Sequence, residues 1–278
     1  MLRRLFSKPS APAAAPAVDL DLTTLSIRKF VDAAPTPQAA IDVFAGRWAS
    51  SFPDLDPPVQ AGDVPHFTID HRPRQAAAKL GDAQGRLDGY RILELGPLEG
   101  GHTYQLERLG AEVTAIEGNA EAYLKCLVAK ELTGMRSRFL LGNFTKHLQG
   151  QGADAWDMIF ASGVLYHMVR PLELIALICR AAPRAYLWTH YYDPERSEGF
   201  AGAMDDHNGF TAEHFQKHYG DRSHGRFWGG LAEAQRYLKA DDIVAAFRAF
   251  GHDRVEVLET NLEHPHGPCF TLATSRST

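Results

Sequence analysis

The stretch that most constrains this chain is ILELGPLEGGHTYQLERLGAEVTAIEGN, residues 92–119. An apolar run ends at Leu95, a glycine-rich turn follows, and a second apolar run ends on an acid, Glu117. Gly96 permits a backbone turn that a side chain obstructs, and Gly100 and Gly101 let the chain approach a ligand before a helix begins. Glu117 lies 23 residues after Glu94, the spacing that puts a carboxylate within reach of a ribose diol. Together these features predict an adenosine site. The plain alternative is a tight strand-to-helix turn that binds nothing. The dinucleotide fingerprint G-x-G-x-x-G is replaced by G-x-x-x-G-G, with Glu94 before it and Glu99 inside it. Negative charge there opposes a pyrophosphate and suits a cationic ligand.

Around this stretch, YRILEL, AEVTAIE, RFLLG, WDMIFAS and RAYLWTHYY have strand character, and helical segments at 103–109, 120–133 and 171–182 separate them. Strands alternating with helices predict right-handed crossovers and a mainly parallel sheet covered on both faces. ADDIVAAFRAFG then reads as a helix, and RVEVLET and CFTLATS, joined by EHPHGP, read as an antiparallel hairpin at a sheet edge. The fold class is therefore α/β and Rossmann-like, a mainly parallel seven-stranded sheet with a C-terminal antiparallel hairpin. Residues 1–20 read as a disordered Ala/Pro-rich tail, 21–84 as a small helical cap, and 85–278 as the main domain, with a lid-like insertion at 193–230.

Four segments in this order resemble the class I S-adenosylmethionine (SAM)-dependent methyltransferases, whose first motif has the form E-x-G-x-x-x-G. The resemblance implies that Glu94, Gly96, Pro97, Gly100 and Gly101 wrap the methionine part of the cofactor, with Glu94 near its ammonium group. It places Glu117 on the ribose hydroxyls and Gly118, Asn119, Asn143 and Phe144 around the adenine. In FASGVLYH it sets Ala161, Ser162 and Gly163 beneath the sulfonium. GVLYH followed by a Pro-Leu helix is also similar to the bacterial tRNA wobble-uridine carboxymethyltransferase. APTPQAAIDVFAGRWASSFP looks more like bacterial methyltransferases whose substrates the likeness does not name.

Methyl transfer is an in-line displacement that needs alignment, exclusion of water and, for a protonated acceptor, a base. His167 is the first candidate for that base, with His190 and Tyr191 beside it at a strand end; capping or packing roles compete for all three. Tyr192, Trp48, His224 and Trp228 are candidates to hold the substrate, and Phe52 accompanies them. The insertion is otherwise a surface excursion. Arg72 and Arg74 read as solvated surface arginines, with a cofactor carboxylate as the alternative partner.

Composition narrows the acceptor. A formal net charge of −5 with 23% charged residues lacks the basic excess of a polynucleotide binder, so RNA is possible but disfavoured. No N/D-P-P-Y/F follows the fourth strand and no Pro-Cys pair stands where a cytosine nucleophile would, so DNA is not expected. The three cysteines, Cys126, Cys179 and Cys269, sit far apart in apolar contexts, as buried thiols of a cytoplasmic protein do. No metal is expected: spacing shows no CxxC or His/Cys cluster, and the neighbours in MDDHN do not aim at one ion. No run spans a bilayer. The expectation is a metal-independent SAM-dependent methyltransferase acting on a hydroxyl or amine of a small-molecule or sugar-containing metabolite. Its rivals are a tRNA-modifying (carboxy)methyltransferase, a dinucleotide oxidoreductase and a non-catalytic cofactor-binding module.

Overall fold

The computed structural model describes residues 30–53, 55–197, 199–219 and 229–277. The expected tail at 1–20, and His224 and Trp228, lie outside the described residues.

The N-terminal region holds two helices, α1 (Pro37–Asp42) and α2 (Arg72–Leu80). Thr36 starts α1 by accepting a hydrogen bond on its side chain from the Ala39 amide at 3.1 Å, and proline takes the first turn where its missing N–H costs nothing. Irregular chain joins the two helices, so this cap is less helical than its sequence predicts.

From Arg91 the alternation is regular: β1 (Arg91–Leu95), α3 (Gly101–Arg108), β2 (Glu112–Glu117), α4 (Ala120–Thr133), β3 (Arg138–Leu141) and α5 (Phe144–Gln149). It continues through β4 (Met158–Ser162), α6 (Pro171–Ala181) and β5 (Arg184–His190). Asn119 opens α4 by accepting from the Ala122 amide at 2.9 Å, and Gly134, at φ 70°, closes it in the left-handed conformation. Four of the five residues of β1 and of β4 are buried, as central parallel strands covered on both sides must be.

Three strands form a second sheet: β6 (Ala201–His207), β7 (Phe210–His218) and β8 (Ala234–Leu238). The chain then returns through α7 (Ala240–Ala249) to β9 (Arg254–Asn261) and β10 (Cys269–Ser275). The large sheet has seven strands in the order β3-β2-β1-β4-β5-β10-β9. Only β10 runs antiparallel to its two neighbours, which is the expected C-terminal hairpin with β9 on the edge. α6 and α7 pack on one face with Leu93, Ile159 and Leu187; α2 and α3 pack on the other with Ile92, Phe160 and Tyr186. Order reverses between β2-β1 and β4-β5, so a crevice opens beyond the C-terminal ends of these strands.

Within the region expected to be a glycine-rich lid, 201–218 form the strand pair β6–β7 of a β-meander that β8 completes just beyond it. Asn208 and Gly209, with φ of 50° and 81°, link β6 and β7 in a two-residue turn. Asn-Gly is the strongest short hairpin signal, because both central residues must take positive φ. In β6, Asp205 is buried beside Arg170 at 3.8 Å while Asp206 bonds Thr211. Alternation along the strand sends these two acids to opposite faces. No helix among the described residues is long and apolar enough to cross a membrane.

Candidate functional site

A cavity of about 1430 Å³ lies beyond the C-terminal ends of the central strands. Its first wall is mostly backbone. Gly96, at φ 66°, follows β1, and a Cβ there would stand 2.7 Å from the Val164 side chain. Gly101 begins α3 so close to His66 that a Cβ would meet its carbonyl oxygen at 2.9 Å. A side chain at either position would collide with protein atoms, so both places call for glycine. Gly96, Pro97, Gly101, Glu117, Gly118, Asn119, Asn143, Phe144, Ser162 and Gly163 all face the cavity.

Glu117 ends β2 with its carboxylate fixed by two amides, Asn119 N at 2.8 Å and Leu98 N at 3.1 Å. Burial nevertheless pushes its pKa up to about 7. Asn119 and Asn143 use their side-chain oxygens to cap α4 and α5, so what they offer a ligand is the remaining amide and the backbone.

Three expected cofactor residues do not line the cavity, and one of them, Ala161, is packed in the core of the sheet. Glu94 is 1% exposed, lies beneath the loop and accepts a hydrogen bond from the Thr103 hydroxyl. Burial pushes its pKa up to about 8, with the Thr103 bond opposing and nearby Glu117 adding a smaller push upward, so at neutral pH its protonated form predominates and it is a poor partner for an ammonium group. Gly100 instead caps α3 at φ 86°, against Phe139. Glu99, read from sequence as further negative field, is paired with Lys125 at 3.1 Å and accepts from the Ala49 and Ser50 amides at 2.9 and 2.7 Å. Its charge fastens the N-terminal segment onto the loop, and Glu117 is the acid of this stretch left for a ligand.

The second wall is made of side chains. Arg72, expected on the surface, reaches into the cavity: Nη1 donates to Ser162 Oγ at 2.9 Å, Nε donates to Asp70 at 2.8 Å, and the guanidinium lies 5.0 Å over the Trp188 ring. Asp70 also accepts from His102 Nε2 at 2.9 Å. Burial would raise the Asp70 pKa, but the hydrogen bonds from Arg72 and His102 outweigh it and hold the carboxyl well below its usual range.

His167 lies on a 3-10 turn (Leu165–His167), with Nδ1 hydrogen-bonded to the Tyr219 hydroxyl, which also accepts from Gly230 N at 3.1 Å. Beside it Tyr166 stacks on Tyr237 at 5.7 Å and meets the edge of His190 at 4.9 Å. His190 donates from Nδ1 to the Gly267 and Pro268 carbonyls at 2.9 and 3.1 Å, and burial pushes its pKa down to about 4. Tyr191 lines the cavity with its ring against Phe270. His167, His190 and Tyr191 thus line one cavity.

Two expected substrate residues are elsewhere. Trp48 is 2% exposed, packs with Ile41 and Phe44, and donates its indole N–H to the Ile41 carbonyl at 2.9 Å. Its apolar bulk is the core of the cap. Tyr192 stacks on Phe215, centroids 3.4 Å apart, and fastens the second sheet to the first. Phe52 packs in the same cap against Phe67. Sequence reasoning passed over Asp70, His102, Tyr166, Tyr219 and Trp188; none stands in a spacing that marks a site. It also passed over His264 and Cys269, whose ligand atoms lie with that of His190 within 4.8 Å of one another.

No protein-family model matches the chain, and no curated protein matches its sequence. Solved structures do match its fold. The N-terminal domain of EvdMO1 with SAH (S-adenosylhomocysteine) bound aligns with a TM-score of 0.63 at 22% identity, over 83% of this chain and 92% of that one. Against EvdMO1 itself the TM-score is 0.52 at 21% identity, over 83% of this chain and 44% of that one. Magnesium protoporphyrin IX methyltransferase from Synechocystis PCC 6803, with bound SAH, aligns at 0.51 and 16% identity, over 78% and 90%. The fold is the class I methyltransferase fold. Beyond the seven-stranded sheet of this fold, β6–β8 form a separate three-stranded sheet, and Tyr237 of β8 reaches the cavity.

Proposed function

We propose that this chain is a SAM-dependent methyltransferase that modifies a hydroxyl, or an amine, of a small-molecule or sugar-containing metabolite. The observation that carries this reading is Glu117, held by two amides at the switch-point crevice opposite glycines that no side chain can replace. When bound, the cofactor supplies a methyl group on a positively charged sulfur. Glu117 accepts hydrogen bonds from its ribose hydroxyls, and Gly118, Asn119, Asn143 and Phe144 border its base. Arg72 offers a charge for its carboxylate, with Asp70 and His102 fixing the guanidinium. The backbone wall suits that group, because Gly96, Gly101 and Gly118 line the cavity without side chains of their own.

At the other end, His167 removes the acceptor's proton. When its Nδ1 donates to Tyr219, Nε2 is the basic nitrogen. Tyr166, His190 and Tyr191 exclude water and shape the place where the acceptor oxygen lines up behind the methyl carbon. The EvdMO1 domain has also been crystallised in the presence of SAH and D-fucose; for this chain, a sugar-containing acceptor is favoured by the ring-lined, hydrogen-bonding character of this wall. The tRNA-modifying reading stands second, because a chain with net charge −5 is poorly matched to a polyphosphate.

Calorimetric titration of the purified protein with SAM, its carboxylated analogue and NAD tests the reading. SAM is expected to bind in preference to both. Preference for the carboxylated form would put tRNA first, and preference for NAD would overturn methyl transfer.

A further inference from the structure

The strands that close the acceptor end bring together three side chains that have no part in holding a nucleoside. In the pairing of β5 with β10, His190 stands directly opposite Cys269, so both side chains leave the same face of the sheet. His264 comes from the turn between β9 and β10. One ring nitrogen of each histidine and the Cys269 sulfur lie within 4.8 Å of one another. A tetrahedral ion with bonds of about 2.0–2.3 Å holds its ligands roughly 3.3–3.8 Å apart. His264, half-buried on its turn, is the ligand placed to close the difference. Its Nδ1 accepts a long hydrogen bond from His266 N at 3.2 Å, a weak contact to give up.

We propose that His190, His264 and Cys269 form a metal site of the zinc class, with its open coordination position facing the acceptor end of the cavity. A thiolate with two imidazoles is a soft donor set that selects zinc over magnesium or calcium. Three protein ligands with a vacant fourth position is the arrangement of zinc sites that take a substrate atom. All three residues line the cavity.

The surroundings are those of a ligand set. His190 donates Nδ1–H to two backbone carbonyls, which fixes the tautomer and turns the lone pair of Nε2 outward. Burial, and then Glu259, push the free Cys269 thiol's pKa up, and the hydrogen bond from the Trp188 indole works against them in favour of charge on the sulfur. His190 and Cys269 are 4% and 3% exposed, which leaves the cavity as the way in. On binding, the Cys269 thiol proton passes to solvent as the metal–sulfur bond forms.

The ion site stands on these side chains alone; its use rests on the methyl-transfer reading. In that use the acceptor hydroxyl occupies the open position, where the ion's charge eases loss of its proton to His167. The oxygen–methyl bond forms as the sulfur–methyl bond breaks, and that electron pair stays on the cofactor sulfur.

The full chain, stripped with a chelator, is titrated with cobalt(II) without SAM and followed by absorption. One equivalent is expected to produce a thiolate-to-cobalt charge-transfer band and the visible bands of tetrahedral cobalt, and zinc should displace both. Cys269→Ser should abolish the charge-transfer band. If that variant fails to fold, His264→Ala on the turn decides: it should weaken cobalt binding by at least about tenfold with an unchanged melting temperature. A wild type without the thiolate band, or a folded His264→Ala protein with unchanged cobalt affinity, would sink the site. A parallel SAM titration separates the failures, since lost SAM binding with intact cobalt bands refutes methyl transfer and spares the metal.

Discussion

Beyond β1 and β2 the cavity wall is backbone: Gly96, Gly101, Gly118 and the amides that hold Glu117. Beyond β4 and β5 it is side chains: Arg72, Tyr166, His167, Trp188, His190 and Tyr219. The first wall comes from one continuous stretch in which every feature is a local rule, a positive φ or an acid closing a strand. The second is assembled from α2, the turn after β4, β5, the end of β7 and the β9–β10 turn, which meet only after folding. A backbone wall suits a ligand that stays the same from enzyme to enzyme, whereas a side-chain wall can be recut for each acceptor. The two walls should therefore fail differently when cut.

The largest effect is expected on the side-chain wall. Removing a positioned base costs about 10²–10⁴ in rate, so His167→Ala should lower kcat by that order and leave the SAM Kd within twofold or so of wild type. A parallel loss of SAM affinity in a folded variant would mean that the two walls are not separate. Next comes the cap, where Trp48 is core in the structure and a substrate residue in the sequence reading. Trp48→Ala should reduce stability by about 3–5 kcal/mol, the usual result of emptying a large buried ring. A normal melting temperature with a raised acceptor KM would restore Trp48 to the substrate.

These variants also mark how much was legible in advance. α4 falls on residues 120–133 as expected, because Asn119 and Gly134 punctuate it at both ends. The strand order follows from alternation and chirality rules. Within the site, the glycines and Glu117 were readable because backbone needs leave a fixed spacing. Arg72 was not: beside Asp70 it resembles any surface pair, and only the packing of α2 against β5 turns it over Trp188. The meander was legible in principle through Asn208-Gly209 but was outweighed by the glycines and histidines around it. EHPHGP was read as a turn and Cys269 as the start of a strand, since nothing in either shows that Cys269 pairs across the sheet with His190. Glu94 and Glu99 were read as charges for a cation, because sequence does not reveal that one is buried without a counter-ion and the other has Lys125.

On the backbone wall, Glu117→Ala should weaken SAM binding by about 1–3 kcal/mol, the scale of lost hydrogen bonds to a charged group. kcat at saturating SAM should change much less. A variant that binds SAM normally would misplace the ribose.

The effect spread most thinly, at most about 1.4 kcal/mol for each pH unit and each acid, is a pH dependence carried by the buried acids beneath that wall. Glu94 and Glu117 have folded-state pKa values pushed up to about 8 and about 7 by burial, against ordinary values near 4.5. Between pH 4.5 and 7 the folded chain therefore holds protons that the unfolded chain has released, and stability falls as pH rises through this window. Each unit of pH across which one such acid stays protonated only when folded is worth up to about 1.4 kcal/mol. Glu94→Gln keeps a group for Thr103 to bond while removing the titration. Its stability should exceed wild type by more at pH 7.5 than at pH 5.5, with a residual slope from Glu117 that fades above pH 7. Bound SAM should flatten that residue further, because ribose hydroxyls donating to Glu117 favour its charged form. Equal pH slopes in Glu94→Gln and wild type would show that Glu94 is ionised beneath the loop, and would return it to the cofactor wall as a charge.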